Sequence, residues 1–480
     1  MTRRQLTSGL LGAGALFGLA ACGNAAMDGA APLSSLSPTP VVSTGRLRKL
    51  VLEARPTQVD LGGRVVSTWA YGDSIPGDPL RATAGDRVQV AFKNNLPVPT
   101  SVHWHGLAIG NAMDGVPGVT TPETPAGGSF DFDFVIPDAG THWFHPHHPM
   151  QLDRGLYAPF IVDDPNEPGA YDAEWVLVLD DWTDGVGTSP EQILAQLQAK
   201  SGGAMGGMHM GGMDMGGDGG DVTYPLYLVN GRAPSDPQTL AAKPGQRVRM
   251  RIINSSADTI FTVALAGHDL QITHTDGYSV QPVSTASLRI GMGERYDAIV
   301  TLKDGVFPFV AEPLGKVGIA RALVRTGGGA VPAASFKPGE LTGEPLTVGS
   351  LTGAAGTALP AGELDTVLDL ALGGGMATYE WTINGATYQN ARPLSIRAGE
   401  AGRLRIRNAT MMSHPIHLHG HTFQIGDAGG KGPRKDTVLV PPMGAVNVDM
   451  VADNPGKWMV HCHNAYHAEA GMMTRLDYVA

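Results

Sequence analysis

Residues 85–94 read GDRVQVAFKN, residues 245–254 read GQRVRMRIIN and residues 399–408 read GEAGRLRIRN. Each stretch opens on a glycine, alternates apolar with polar residues, and ends on an asparagine nine positions later. A period of two marks a half-buried β-strand, and the leading glycine supplies the turn before it. Three copies of one strand imply three related units, the number that a length of 480 residues also suggests. Composition agrees: 65 Gly, 35 Pro, and Val-, Ile- and Thr-rich runs bounded by turn residues describe β sandwiches or barrels rather than helices.

Counting onward from the repeat asparagines separates the three units. Nine and eleven positions past Asn94 stand His103 and His105; the same offsets past Asn408 give His417 and His419, but past Asn254 they give Val263 and Leu265. A second strand behaves alike. Five and seven positions after Gly140 stand His145 and His147, after Gly456 His461 and His463, and after Gly305 Val310 and Glu312. The first and third units therefore each supply two His-x-His pairs. One such pair alone is read as two surface histidines, whereas four at repeat-related offsets are not. The period of two puts both members of a pair on one strand face, where they can converge on metal. Eight imidazoles from two equivalent units suggest a multinuclear site at their interface, and imidazole suits copper, zinc or iron alike.

Cys462 narrows the metal. It lies between His461 and His463, with His467 five residues on and Met472 ten residues on, and its counterpart in the first unit is Pro146. Two histidines, a thiolate and a distant thioether form the ligand set of a blue copper centre, which moves one electron at a time. If residues 459 to 464 form a strand, Cys462 faces one way and both flanking histidines the other. An electron collected at the thiolate site then reaches the second site through two peptide units.

A formal net charge of -11 argues against nucleic acid or a polyanion as partner. The other cysteine, Cys22, closes a signal-like segment: Arg3-Arg4, an apolar stretch from Leu10 to Ala21 too short to span a bilayer, then Leu19-Ala20-Ala21-Cys22. Twin arginines resemble a Tat export signal. The ending resembles a bacterial lipobox, which implies lipid on Cys22, membrane attachment and residence in the cell envelope. No cysteine pair is left for a disulfide within the mature chain, consistent with export after folding. An Ala-, Pro- and Ser-rich tether follows over residues 23–45.

At the histidine motifs the chain resembles the three-domain multicopper oxidases, the superfamily of laccases, bacterial copper-tolerance oxidases and ferroxidases, over roughly residues 46 to 480. The resemblance implies an all-β fold of three consecutive cupredoxin-like Greek-key domains, placed at 46–165, 166–335 and 336–480, after a signal at 1–22. It implies four copper ions. Type 1 copper would take His414, Cys462 and His467, with Met472 as weak axial ligand. Type 2 copper would take His103 and His417; the type 3 pair would take His105, His145 and His463 on one ion, and His147, His419 and His461 on the other. Asp114 matches the family carboxylate near type 2 copper, although an ordinary turn before Gly115 also explains it. Many bacterial members carry a glutamate directly after the second type 1 histidine; here that residue is Ala468, and Glu469 follows as the candidate proton relay.

The resemblance implies dioxygen as acceptor and leaves two donors open. A phenol or aromatic amine, as in laccases, would give up an electron at the exposed edge of a type 1 histidine. Alternatively Cu(I) is the donor, in envelope copper tolerance. An insertion at 201–220, nearly all Gly, Met and Asp, carries Met205, Met208, His209, Met210, Met213 and Met215, soft ligands that favour Cu(I); a mobile insertion without metal is the competing reading. Met412 stands two residues before His414, as in cuprous oxidases, but Thr410 stands where those enzymes carry an aspartate. Copper storage by a lipoprotein is the non-enzyme alternative, and it leaves the oxygen-reducing histidines unexplained. A monomer is expected.

Overall fold

The computed structural model describes residues 41–167, 169–200, 219–360, 363–426 and 431–480. The Tat-like and lipobox motifs and all six Met and His residues of the insertion named above lie outside these residues. The fold is three consecutive cupredoxin-like β sandwiches, each built from two sheets.

Each repeat stretch forms the strand its alternation implies: Arg87–Asn94, Arg247–Asn254 and Ala401–Asn408. Each pairs in parallel with the first strand of its own unit, for example Leu47 with Arg87 and Thr366 with Gly402. The repeat glycines Gly85, Gly245 and Gly399 have φ of 85°, 80° and 85°, a conformation that costs a residue with a Cβ about 1 kcal/mol or more.

The repeat asparagines explain why the strand precedes a functional one. Asn94 Nδ2 donates to Val98 O and Thr124 O, both at 2.9 Å, while its Oδ1 accepts from Leu96 N at 3.0 Å. Asn254 and Asn408 repeat the pattern, on Thr259 O at 2.9 Å and Met412 O at 2.7 Å. One buried amide thus satisfies several loop backbone groups and fixes the start of the next strand. That strand is His103–His105 in the first unit, Phe261–Leu265 in the second and His414–Leu418 in the third.

Alternation then divides the faces. Trp104, between His103 and His105, packs with Phe132, Phe134, Phe144 and Phe160, so both imidazoles point away from the sandwich core. His103 sits opposite His145 on the neighbouring antiparallel strand, and His417 opposite His461. The strand carrying Cys462 spans Lys457–Cys462, ending two residues short of the expected 464. A helix, α2 (Ala465–Glu469), begins there because Asn464 caps it, its side chain accepting from Tyr466 N and His467 N at 3.0 and 3.1 Å. The other α-helix, α1 (Pro190–Lys200), lies in the second unit.

Candidate metal centre

The eight histidines of the four pairs meet between the first and third units. His103 and His417 approach at 3.4 Å between Nε2 atoms, His145 and His463 at 3.4 Å, and His419 and His461 at 3.1 Å. His147 completes a group with His419 and His461 whose ligand atoms all lie within 4.8 Å of one another. His105 stacks on His417 at 3.8 Å between ring centroids.

The outward nitrogens are fixed by the backbone. His103 Nδ1 faces Asp114 O at 2.8 Å, His417 Nδ1 faces Asp436 O at 2.9 Å, and His461 Nδ1 faces Cys462 O at 2.8 Å. A carbonyl can only accept, so each Nδ1 carries the proton and each Nε2 turns a lone pair inward. Asp114 Oδ2 does the same for His419 Nδ1 at 3.1 Å. Burial first, and neighbouring imidazoles second, hold His145, His147, His419 and His463 well below the ordinary histidine range, and His461 at about 3. Neutral rings with lone pairs facing one another repel unless a cation lies between them. His105 Nδ1 and His147 Nε2 are buried without a hydrogen-bond partner, a costly state that coordination would relieve. The donor set therefore fits first-row transition ions.

Beside this cluster, His414 Nδ1 and His467 Nδ1 lie 3.0 Å apart, and Cys462 Sγ lies 3.7 and 3.8 Å from them. All three side chains are fully buried. Met472 is buried too, and its carbonyl accepts from Cys462 N at 3.0 Å, which keeps it beside the triad. Thiolate, two imidazoles and a nearby thioether fit copper.

The expectation of an exposed histidine edge is corrected. The outer nitrogen of His414 is covered by Thr410 Oγ1 at 2.7 Å, and that of His467 by Asp221 Oδ2 at 3.0 Å. Burial alone would depress His467, but the Asp221 carboxylate outweighs it and raises the ring to about 10. Asp221 also accepts from Tyr379 OH at 2.8 Å and lines a cleft of about 410 Å³ with Thr183, Ile193, Leu197, Tyr224 and Pro225. Met412 is half-buried against the core beside this centre.

Glu469 lines a cavity of about 50 Å³ that reaches His145, His147, His461 and His463, and burial pushes its carboxyl up to about 7. A group titrating there can give and take protons near neutrality.

Three functional residues escape a reading of the motifs. Asp436 accepts from His105 Nε2 at 3.1 Å and is gripped by Arg295 of the middle unit, Nη1 at 2.7 Å and Nη2 at 2.6 Å. Burial would raise the Asp436 carboxyl, but the guanidinium holds it well below the usual carboxylate range. Gly106, at φ 87°, admits this contact: an added Cβ would meet Arg295 Nη2 and stand 2.8 Å from Asp436 Oδ2. Asp221 is the third.

Three β sandwiches, with a thiolate triad one residue from an all-imidazole cluster, define a copper-dependent electron-transfer enzyme. The chain belongs to the multicopper oxidase family, whose models match residues 53–167, 173–329 and 364–479. It is 50% identical to Multicopper oxidase MmcO of Mycobacterium tuberculosis, over 99% of this chain and 97% of that one. It is 28% identical to the Copper resistance protein A homolog of Pseudomonas syringae pv. tomato, over 87% and 90%. Among solved structures it resembles the multi-copper oxidase from Pseudomonas thermotolerans, with a TM-score of 0.70 at 26% identity, covering 90% and 99% of the two chains. It is an oxidoreductase that carries copper and passes electrons from a donor to dioxygen.

Proposed function

We propose that the chain holds four copper ions and couples four one-electron oxidations of an organic donor, a phenol or aromatic amine, to the reduction of dioxygen to water. His414, Cys462 and His467, together with Met472, would hold the type 1 ion. His103 and His417 hold the type 2 ion; His105, His145 and His463 hold one type 3 ion, and His147, His419 and His461 the other. Copper in these positions supplies one-electron redox chemistry and the reduction of dioxygen. The protein residues supply position and protons: Asp114 orients His103 and His419, and Glu469 transfers protons within the cavity that reaches the cluster.

The observation that carries the organic donor is the contact between Asp221 and His467 at the inner wall of the cleft. The Asp221 side chain is only 1% exposed and already engages His467 and Tyr379, so a phenol seated in the cleft would take the place of the Tyr379 hydroxyl on the carboxylate while its electron leaves through the imidazole. Asp221→Asn should raise KM for a methoxyphenol and leave oxidation of ferrocyanide, which has no O–H, much less changed. Equal effects on both would remove this reading.

A second donor has its own observation. Met411 and Met443 are both exposed, and Met443 N donates to Thr410 O at 3.0 Å, next to the hydroxyl that covers His414. Thioethers there, with those of the insertion, would favour Cu(I). Oxygen uptake with Cu(I), measured beside methoxyphenol before and after deletion of residues 203–219, separates the two. Phenol turnover indifferent to the deletion, with no Cu(I) turnover, would leave the organic donor alone. The twin arginines and Cys22 support export to the bacterial envelope with a lipid anchor. Among the described residues no helix is long and apolar enough to cross a membrane.

A further inference from the structure

The cluster histidines are sealed. Seven of the eight are at most 4% exposed, and His147 is half-buried. If the chain folds before export, as its twin arginines suggest, copper must enter a finished fold. The cavity of about 50 Å³ that touches His145, His147, His461 and His463 has room for only a few waters. A metal ion entering it has to exchange its hydration for side-chain donors on the way.

The remaining walls offer such donors. His148, Met150 and Met473 line the same cavity. His148 is 21% exposed; its Nε2 faces Glu123 Oε2 at 3.1 Å, so its other nitrogen is not taken up by that contact. Met473 is half-buried. Met150 is buried and held at φ 55°, a left-handed conformation unusual for a residue with a side chain. One imidazole and two thioethers form a soft set that selects Cu(I) over Cu(II).

We propose that His148, Met150 and Met473 form an entry port that captures Cu(I) and hands it to His147 and the other imidazoles of the cluster. Capture is ligand exchange: water leaves the ion as thioether sulfur and imidazole nitrogen replace it, and no electron is transferred. The proposal rests on the reading that the eight histidines hold copper.

The test follows copper uptake, not oxidation. Metal-free full-length protein is mixed anaerobically with Cu(I) in acetonitrile, or separately with Cu(II), quenched with chelator at intervals, and its copper per chain measured. Replacing the port with His148→Gln, Met150→Leu and Met473→Leu should slow Cu(I) uptake about ten-fold, leave the final copper content unchanged, and affect Cu(II) uptake little. Met473→Leu alone, at a half-buried position, should slow it in the same sense and guards against misfolding of the triple variant. Unchanged Cu(I) uptake in the variants, or equal slowing of both ions, overturns the port. An unaltered chain that takes up only one copper would sink the cluster reading instead, which is a separate failure.

Discussion

The strands Phe261–Leu265 and His414–Leu418 occupy equivalent places after equivalent asparagines, yet one is a plain core strand and the other carries ligands. In the middle unit Val263 and Leu265 are fully buried among apolar neighbours. In the third, His417 and His419 turn toward the first unit and meet its histidines. The fold therefore does not require the imidazoles; they are placed only where two units face each other. The middle unit contributes charge instead. Arg295 grips Asp436, and Asp276 and Glu294 hold Lys435 at 3.0 and 3.2 Å, all fully buried.

The largest break comes at the position that distinguishes the third unit from the first. Cys462→Ser should abolish the blue colour and bring donor oxidation to background, measured by absorbance and oxygen uptake, because no other thiolate lies beside His414 and His467 among the described residues. Next comes the middle unit's own device. Arg295→Met leaves Asp436 buried without its guanidinium partner, and should cost about 3–5 kcal/mol in denaturant unfolding. It should also disturb the type 3 absorption, since Asp436, the partner of His105 Nε2, loses the guanidinium that holds it in place. Lysine at 295 cannot reproduce the two-point contact and should rescue only in part.

A smaller effect tests whether histidines alone make a site. Leu265→His puts an imidazole at the middle unit's ligand-equivalent position and should add no copper, while losing about 1–3 kcal/mol for a buried polar group without a partner. A gain of bound copper would mean that the strand, rather than the facing unit, creates the site.

The smallest concerns pH. Glu469 is raised from the ordinary 4.5 to about 7, so in the folded chain it keeps its proton where the unfolded chain has lost it. The stability it contributes is full below pH 4.5 and is lost as pH rises through about 7. Turnover should fall over the same upper range as the acid form disappears. Glu469→Gln should flatten both dependences, and a wild-type pH profile that survives the substitution would remove Glu469 from proton transfer.

How much of this was legible follows from where each residue sits in the repeat. The histidine pairs and Cys462 keep fixed offsets from repeat landmarks, so periodicity exposed them and the fold together. Asp221 ends a Gly-Asp run in which Asp214 and Asp218 look just the same; only the fold brings it to His467. Asp436 and Arg295 are 141 residues apart in sequence and read as surface charges until the units pack. The covering of His414 by Thr410 was equally hidden. The resemblance to cuprous oxidases calls for an aspartate at that position and carries no signal that a hydroxyl there covers His414.

In the proposed arrangement eight imidazoles between the first and third units enclose three copper ions, with a fourth on Cys462. Copper per chain, measured on fully loaded protein and on its Cys462→Ser variant, tests it most directly. Four and three are expected. Fewer than four in the unaltered chain, or no difference between the two, would contradict it.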